Sequence, residues 1–154
     1  MKLLITFILS GFIAASSFAC SCSEESIAES YKHASSVALV VPTDSGKYYT
    51  TVREDNYSFD LYKTGMRVVK YYKGKYSKFF YLLAEPDTGA NCGVSFKPYN
   101  GVYLVFSYPY NSKYYTTSGC SVSLMSYTAE TEEAQTEYRQ EVDRILKELD
   151  RLSN

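Results

Sequence analysis

The sequence has a single histidine, no tryptophan and almost no net charge. One imidazole, His33, excludes any site built on two. A formal net charge of −1, from 16 Lys and Arg against 17 Asp and Glu, gives no global basic field of the kind that draws nucleic acid. Enzyme signatures are also missing: no G-x-S-x-G elbow, H-E-x-x-H helix, P-loop or dinucleotide fingerprint occurs. No nucleophile neighbours His33 in the sequence, so it reads as a surface or packing residue. Asp55 and Asp60 are of the right type for acid–base work, but nothing singles them out. The chain is therefore expected to be no enzyme and to use no cofactor.

What is present is ordinary in bulk and unusual in one residue type. The 154 residues are 45% hydrophobic and 21% charged, the balance of one folded domain. Tyrosine occurs 17 times. Aromatic side chains suit a pleated surface, so this abundance predicts a strand-rich chain. Four cysteines fit a metal site, a redox site or two disulfides, and the compartment decides among these.

Residues 1–19 read as a secretory signal. Lys2 supplies the positive start, residues 3–15 are almost wholly apolar, and Ser17-Phe18-Ala19 places small residues at the two positions a signal peptidase inspects. The apolar run falls short of the roughly 20 residues that span a bilayer. Cleavage after Ala19 would make Cys20 the first residue of a secreted, periplasmic or extracellular protein. A lipoprotein signal also ends before cysteine, but Ser17 and Phe18 are poor residues for one. Membrane attachment is thus expected only if Cys20 is lipidated.

Export permits disulfides. Cys20, Cys22, Cys92 and Cys120 allow three pairings. A bridge from Cys20 to Cys22 across one residue is strained, so each of these two is expected to join one distant cysteine. Either assignment closes loops of about 70 to 100 residues, worth about 4 kcal/mol each in a chain-entropy account. A zinc site would lack C-x-x-C spacing and histidine support.

Along the mature chain, Ser23 can cap a short helix reaching about Ser35, with Glu24 and Glu25 in its first turn and Ile27, Tyr31 and Ala34 on one face. The run Val37-Ala38-Leu39-Val40-Val41 reads as a buried strand stopped by Pro42. Residues 57–72 form a long strand-like stretch with a bulge or bend expected at Gly65. The turn Lys73-Gly74-Lys75 then leads to a hairpin partner at residues 79–83. Residues 85–92 are turn-rich, and further strands are expected at 102–108 and 114–120. Five or six strands separated by turns predict a small antiparallel barrel.

The tail changes character. Ala134, Tyr138, Val142, Ile145, Leu149 and Leu152 recur at helical spacing, which predicts an amphipathic helix of about 20 residues that lays this stripe on the barrel. Residues 129–154 carry eight acidic and four basic side chains. The segment Lys-Tyr-Tyr-Thr-Thr occurs twice, at 47–51 and 113–117, and reads as two similar exposed strands. Asn56-Tyr57-Ser58 fits a glycosylation sequon.

Two further features carry chemistry. Tyr62-Lys63, Arg67, Lys70-Tyr71-Tyr72-Lys73 and Lys75-Tyr76-Lys78 resemble the aromatic and basic surface of a single-strand binder, though export argues for a solvated strand face and against nucleic acid. The second is the expected N-terminus, Cys20-Ser21-Cys22. With both cysteines tied down, the α-amine and carbonyl of Cys20 form a rigid pair able to chelate a metal in a five-membered ring. Catalytic zinc sites keep a position open, so such a terminus could plug one.

At this point the sequence resembles the tissue inhibitors of metalloproteinases and the wider netrin-like group. The resemblance rests on the C-x-C start, the helix followed by residues 37–41, Cys92-Gly93 with Phe96 close behind, the strand at 102–106, and Thr116-Thr117 leading into Cys120-Ser121. It covers residues 20 to about 126, the inhibitory domain only. It implies a mainly β fold: a small five-stranded antiparallel OB-like barrel, here with a short N-terminal helix and a C-terminal amphipathic helix. The implied organisation is a signal peptide at 1–19, a barrel domain at 20–128 and the helix at 129–154. The implied disulfides are Cys20–Cys92 and Cys22–Cys120. The implied partner is a zinc metalloprotease that supplies the metal. It would be contacted by Cys20 (amine and carbonyl on the zinc), Ser21, Cys22, Ala90, Asn91 and Cys92. The family's prolines after the second cysteine are replaced by Ser23-Glu24-Glu25, the cysteines of its third disulfide are missing, and the acidic helix is expected in place of its second domain. The alternative is an extracellular or envelope interaction module on the same scaffold that inhibits nothing.

Overall fold

The longest element, strand β3 (Tyr57–Lys73), organises the sheet. In the computed structural model, residues 22, 25–55, 57–74, 77–89, 91–125 and 132–154 are described. Helix α1 (Ile27–His33) precedes β1 (Ser36–Pro42) and β2 (Lys47–Glu54). After β3 come β4 (Phe79–Ala84), β5 (Tyr103–Pro109), β6 (Tyr115–Thr116) and β7 (Val122–Leu124). Helix α2 (Glu132–Ser153) ends the chain. The fold is mainly β, with these strands in a single sheet and a helix near each end.

β1 explains why its sequence is an unbroken apolar run. It pairs antiparallel with β3 on one edge and β5 on the other, and both of its faces are covered. Side chains alternate across a strand, so Ala38 and Val40 enter one core with Met66, Leu82, Ala84, Phe96, Tyr103 and Val105. Val37 and Leu39 enter a second, with Ala34, Tyr72, Leu104, Phe106 and Leu149. The helices cover this second core. The remaining pairings run β3 with β2 and β4, β4 with β6, and β5 with β6 and β7.

Several expectations need correction. The sheet has seven strands instead of five or six, and β4 and β6 run parallel in an otherwise antiparallel sheet. The strand expected at 114–120 shrinks to two residues. Thr117 closes it by donating its N–H to Leu83 O at 3.1 Å and its hydroxyl to Phe106 O at 2.8 Å, before a 3₁₀ turn at Gly119–Ser121. Gly65 is no bulge. The register of β3 against β1 slips at Tyr72 and Val69, whereas Gly65 pairs in register with Tyr81. Gly65 instead admits a close approach: a Cβ there would lie 2.5 Å from Thr43 Oγ1 and 2.8 Å from the Phe79 ring.

The first helix begins at Ile27 and ends at His33, so Ser26 is its cap where Ser23 was expected. Ser26 and Glu29 form a capping box, the Ser26 Oγ accepting from Glu29 N at 3.2 Å and Glu29 Oε2 accepting from Ser26 N at 3.1 Å. Hydrogen bonds from the Ser26 hydroxyl and backbone hold the Glu29 carboxyl below its ordinary pKa. The expected face is present: Ala34 is buried, and Ile27 and Tyr31 pack on the second core. Helix α2 docks through its C-terminal half. Leu149 is fully buried and Ile145 and Leu146 pack beside it, while Ala134 is exposed and Val142 and Leu152 are half-buried.

Candidate functional site

The cysteine segments meet at one end of the sheet. Cys22 is disulfide-bonded to Cys120 with Cα atoms 5.4 Å apart, joining the chain before α1 to the 3₁₀ turn after β6. Cys92 is also in a disulfide, and its expected partner, Cys20, lies outside the described residues. The segments holding Cys92 and Cys120 touch directly: Gly119 N donates to Cys92 O at 2.6 Å. Cys22, Cys92 and Cys120 are thus brought to one place from three distant parts of the chain. Ser21 and Ala90, the other expected contact residues with Cys20, lie outside the described residues.

Between β4 and β5 the chain builds a self-bonded loop at 85–95. Asn91 Oδ1 accepts from Thr88 N at 3.0 Å and from the Thr88 hydroxyl at 3.1 Å, and its Nδ2 donates to Pro86 O at 3.0 Å. The Asn91 side chain therefore braces the loop from within, and among its described residues Asp87, Thr88, Gly89, Cys92 and Ser95 are exposed. Val94 N donates to Glu85 O at 2.8 Å and closes the base. Such internal bonding lowers the ordering cost of binding, because the loop is already set before a partner arrives.

Two glycines make this packing possible. A Cβ on Gly93 would come within 2.2 Å of Pro86 O and 2.8 Å of Asp87 N. One on Gly119 would come within 2.5 Å of Gly93 O and 3.0 Å of Cys92 O. The obstacles are backbone atoms, which cannot swing aside as a side chain can. Gly93→Ala is accordingly expected to cost about 2 kcal/mol by overpacking. Urea unfolding measures the loss, and amide exchange should rise first within 85–95; a neutral substitution would mean that the loop has room to shift.

The hairpin joining β2 and β3 flanks the loop. The Tyr57 hydroxyl donates to Glu85 Oε1 at 3.0 Å, and this bond, with some desolvation, raises the phenol pKa. Ser58, Asp60, Glu85, Pro86, Thr88 and Asn91 line a shallow cleft of about 280 Å³ between hairpin and loop. Asp60 accepts from the Thr51 hydroxyl at 2.6 Å, and Asp55 occupies the hairpin turn with φ of 23°.

The remaining candidates sit elsewhere. His33 Nδ1 lies 2.8 Å from Glu25 Oε1 on the exposed side of α1. The basic and aromatic stretch is not one surface. Lys70 pairs with Asp150 of α2 at 2.5 Å, Tyr72 is buried, and Lys73 donates to Tyr31 O and Lys32 O at the end of α1. Lys63 remains with the outer aromatics, Arg67 and Lys78 line a groove with Tyr71, and Lys75 and Tyr76 lie outside the described residues. Sequence reasoning missed Gly119 and the inward bracing by Asn91, since both depend on segments meeting in space. Among the described residues no group of three or more His, Cys, Asp or Glu side chains could hold a metal ion. No described helix is long and apolar enough to cross a membrane. No protein-family model matches the sequence, and no curated protein matches it.

Proposed function

We propose that this chain is an exported, non-enzymatic OB-like barrel that blocks a zinc metalloprotease through a mature N-terminal Cys20. The strand pairings support the barrel. They run from β1 through β3, β4, β6 and β5 and return to β1, the order of a five-stranded Greek-key barrel with β2 and β7 as additions. The observation that carries the inhibitory reading is the Gly119 N to Cys92 O hydrogen bond beside the Cys22–Cys120 disulfide. It sets the segment just after the expected N-terminus against the braced 85–95 loop, the two parts that would form one contact ridge. In this reading the Cys20 amine and carbonyl occupy the zinc position that a catalytic site leaves open. Ser21 enters the neighbouring pocket, and Cys22, Ala90, Asn91 and Cys92 form the flanks.

The test is titration of the exported protein against a panel of zinc endopeptidases, alongside a version carrying one extra alanine before Cys20. The extension removes the chelating amine and should weaken inhibition at least about tenfold, or 1.4 kcal/mol. Equal inhibition by both versions would exclude chelation through the terminus. Inhibition by neither would leave an extracellular interaction module on the same scaffold.

A further inference from the structure

We infer that the two Lys-Tyr-Tyr-Thr-Thr segments together form a binding face for an acidic polysaccharide. The copies are 66 positions apart, at 47–51 and 113–117, yet their rings touch. Tyr49 and Tyr114 lie 5.1 Å apart, Tyr114 is 6.4 Å from Tyr81 of β4, and Tyr81 is 5.2 Å from Phe79. Four rings thus run in a continuous chain across the outer side of the sheet. The Lys63 ammonium sits among three of them, 4.9 Å from the Tyr81 ring, 5.9 Å from Tyr114 and 6.0 Å from Tyr49.

Three cations of this face outnumber its one nearby carboxylate, Asp44, which is set over Gly65 and accepts from Gly65 N at 3.1 Å. Lys47 stands directly opposite Lys63 in the β2–β3 register, so the two side chains share a face. Like charges opposed across a ladder are unfavourable. Arg67 lies four residues along β3 on the same face, opposite Phe79. Among the described residues no carboxylate forms an ion pair with Lys47, Lys63 or Arg67. The tyrosine faces help hold the Lys63 ammonium in place but leave it N–H groups to donate. An incoming carboxylate or sulfate would relieve the repulsion and gain charge-assisted hydrogen bonds.

The rings decide which polyanion fits. Successive rings are turned against one another by 70°, 71° and 87°. A single-stranded nucleic acid stacks consecutive bases on aromatic platforms, and such a stack cannot continue across rings set edge to face. A pyranose needs only one ring face for its C–H groups, since that face is the negative side of the quadrupole. Tyr81 and Phe79, each 40% exposed, offer such faces. Acidic groups carried on the sugar units would reach the cations alongside.

Full-length protein should bind polygalacturonate in affinity electrophoresis at about 0.15 M salt, where long-range attraction is screened, and should ignore neutral dextran. Lys63→Gln and Tyr81→Ala are each expected to weaken binding about tenfold, through the lost cation and the lost ring face respectively. Tyr81→Phe should retain it. Arg139→Gln, the same charge change on exposed α2, should have no effect. Circular dichroism checks each variant, and exposed Lys47→Gln gives a second cation test that leaves the rings intact. Absence of binding overturns the proposal. So does equal or tighter binding of an oligothymidylate, which would make the face a nucleic-acid platform. Loss on Lys63→Gln and Lys47→Gln without loss on Tyr81→Ala would also overturn it, leaving bare electrostatic attraction.

Discussion

Replacing Cys22 and Cys120 together by serine is expected to cost about 4 kcal/mol of stability. The bridge spans 98 residues of sequence, and closing a loop of roughly 100 residues removes about 4.7 kcal/mol of unfolded-chain entropy. Residual structure in the unfolded chain takes some of that back. Cys22, Glu25 and Ser26 are all exposed, so these described residues contribute no buried surface of their own to offset the loss. Urea unfolding under non-oxidising handling should show the midpoint fall. The slope should rise, since a chain with one cross-link fewer exposes more surface on unfolding. Both cysteines must change at once, because a single substitution leaves a thiol free to exchange with the disulfide at Cys92. A loss under about 1 kcal/mol would contradict the entropic account.

The same bridge shows how much of the fold could be read from sequence. Val37-Ala38-Leu39-Val40-Val41 was legible because both faces of β1 are buried, so its pattern needs no alternation to be recognised. Helix α2 was legible from spacing alone, and its observed bounds of Glu132–Ser153 lie close to the expected ones. β7 was not legible. Val122–Leu124 is too short for any periodicity, and it is a strand because Tyr103, Leu104 and Val105 of β5 present an edge to it. Gly65 was ambiguous for a related reason. A glycine in a strand signals either a bulge or a close approach, and only the position of Thr43 and Asp44 above it distinguishes the two. The meeting of the cysteine segments divides in the same way. Cys92-Gly93 and Cys120 stand out as sequence landmarks, whereas Gly119 matters only because Gly93 O comes to rest against it. The duplicated Lys-Tyr-Tyr-Thr-Thr was visible as a repeat, and the meeting of its copies around Lys63 was not. A local signal reports what a residue permits. The partner across a sheet or loop determines which permission is used.

Leu149→Ala is expected to destabilise the protein by about 3 kcal/mol, within the range for a fully buried leucine cut to alanine. Leu149 has no exposed surface and packs with Val37, Leu39, Leu104 and Phe106 beneath α2. Truncation removes the transfer term and leaves a cavity in the second core, where α2 lies against α1 and β3 and the paired strands of the sheet cannot close in. The neighbouring residue provides a contrast. Asp150 holds the Lys70 ammonium at 2.5 Å, and this hydrogen bond raises the Lys70 pKa. Both side chains are about half exposed, and exposed ion pairs contribute little. Asp150→Asn should therefore leave the urea midpoint nearly unchanged, although its contact is the shorter and more conspicuous of the two. Val142→Ala, at a half-buried position about two turns earlier in the helix, should fall between them. If Leu149→Ala unfolds in a single transition, α2 is part of the cooperative unit and completes the second core. If a separate early loss of helical signal appears with the sheet still intact, the helix is a detachable arm, and the core beneath it must tolerate exposure of Val37 and Phe106.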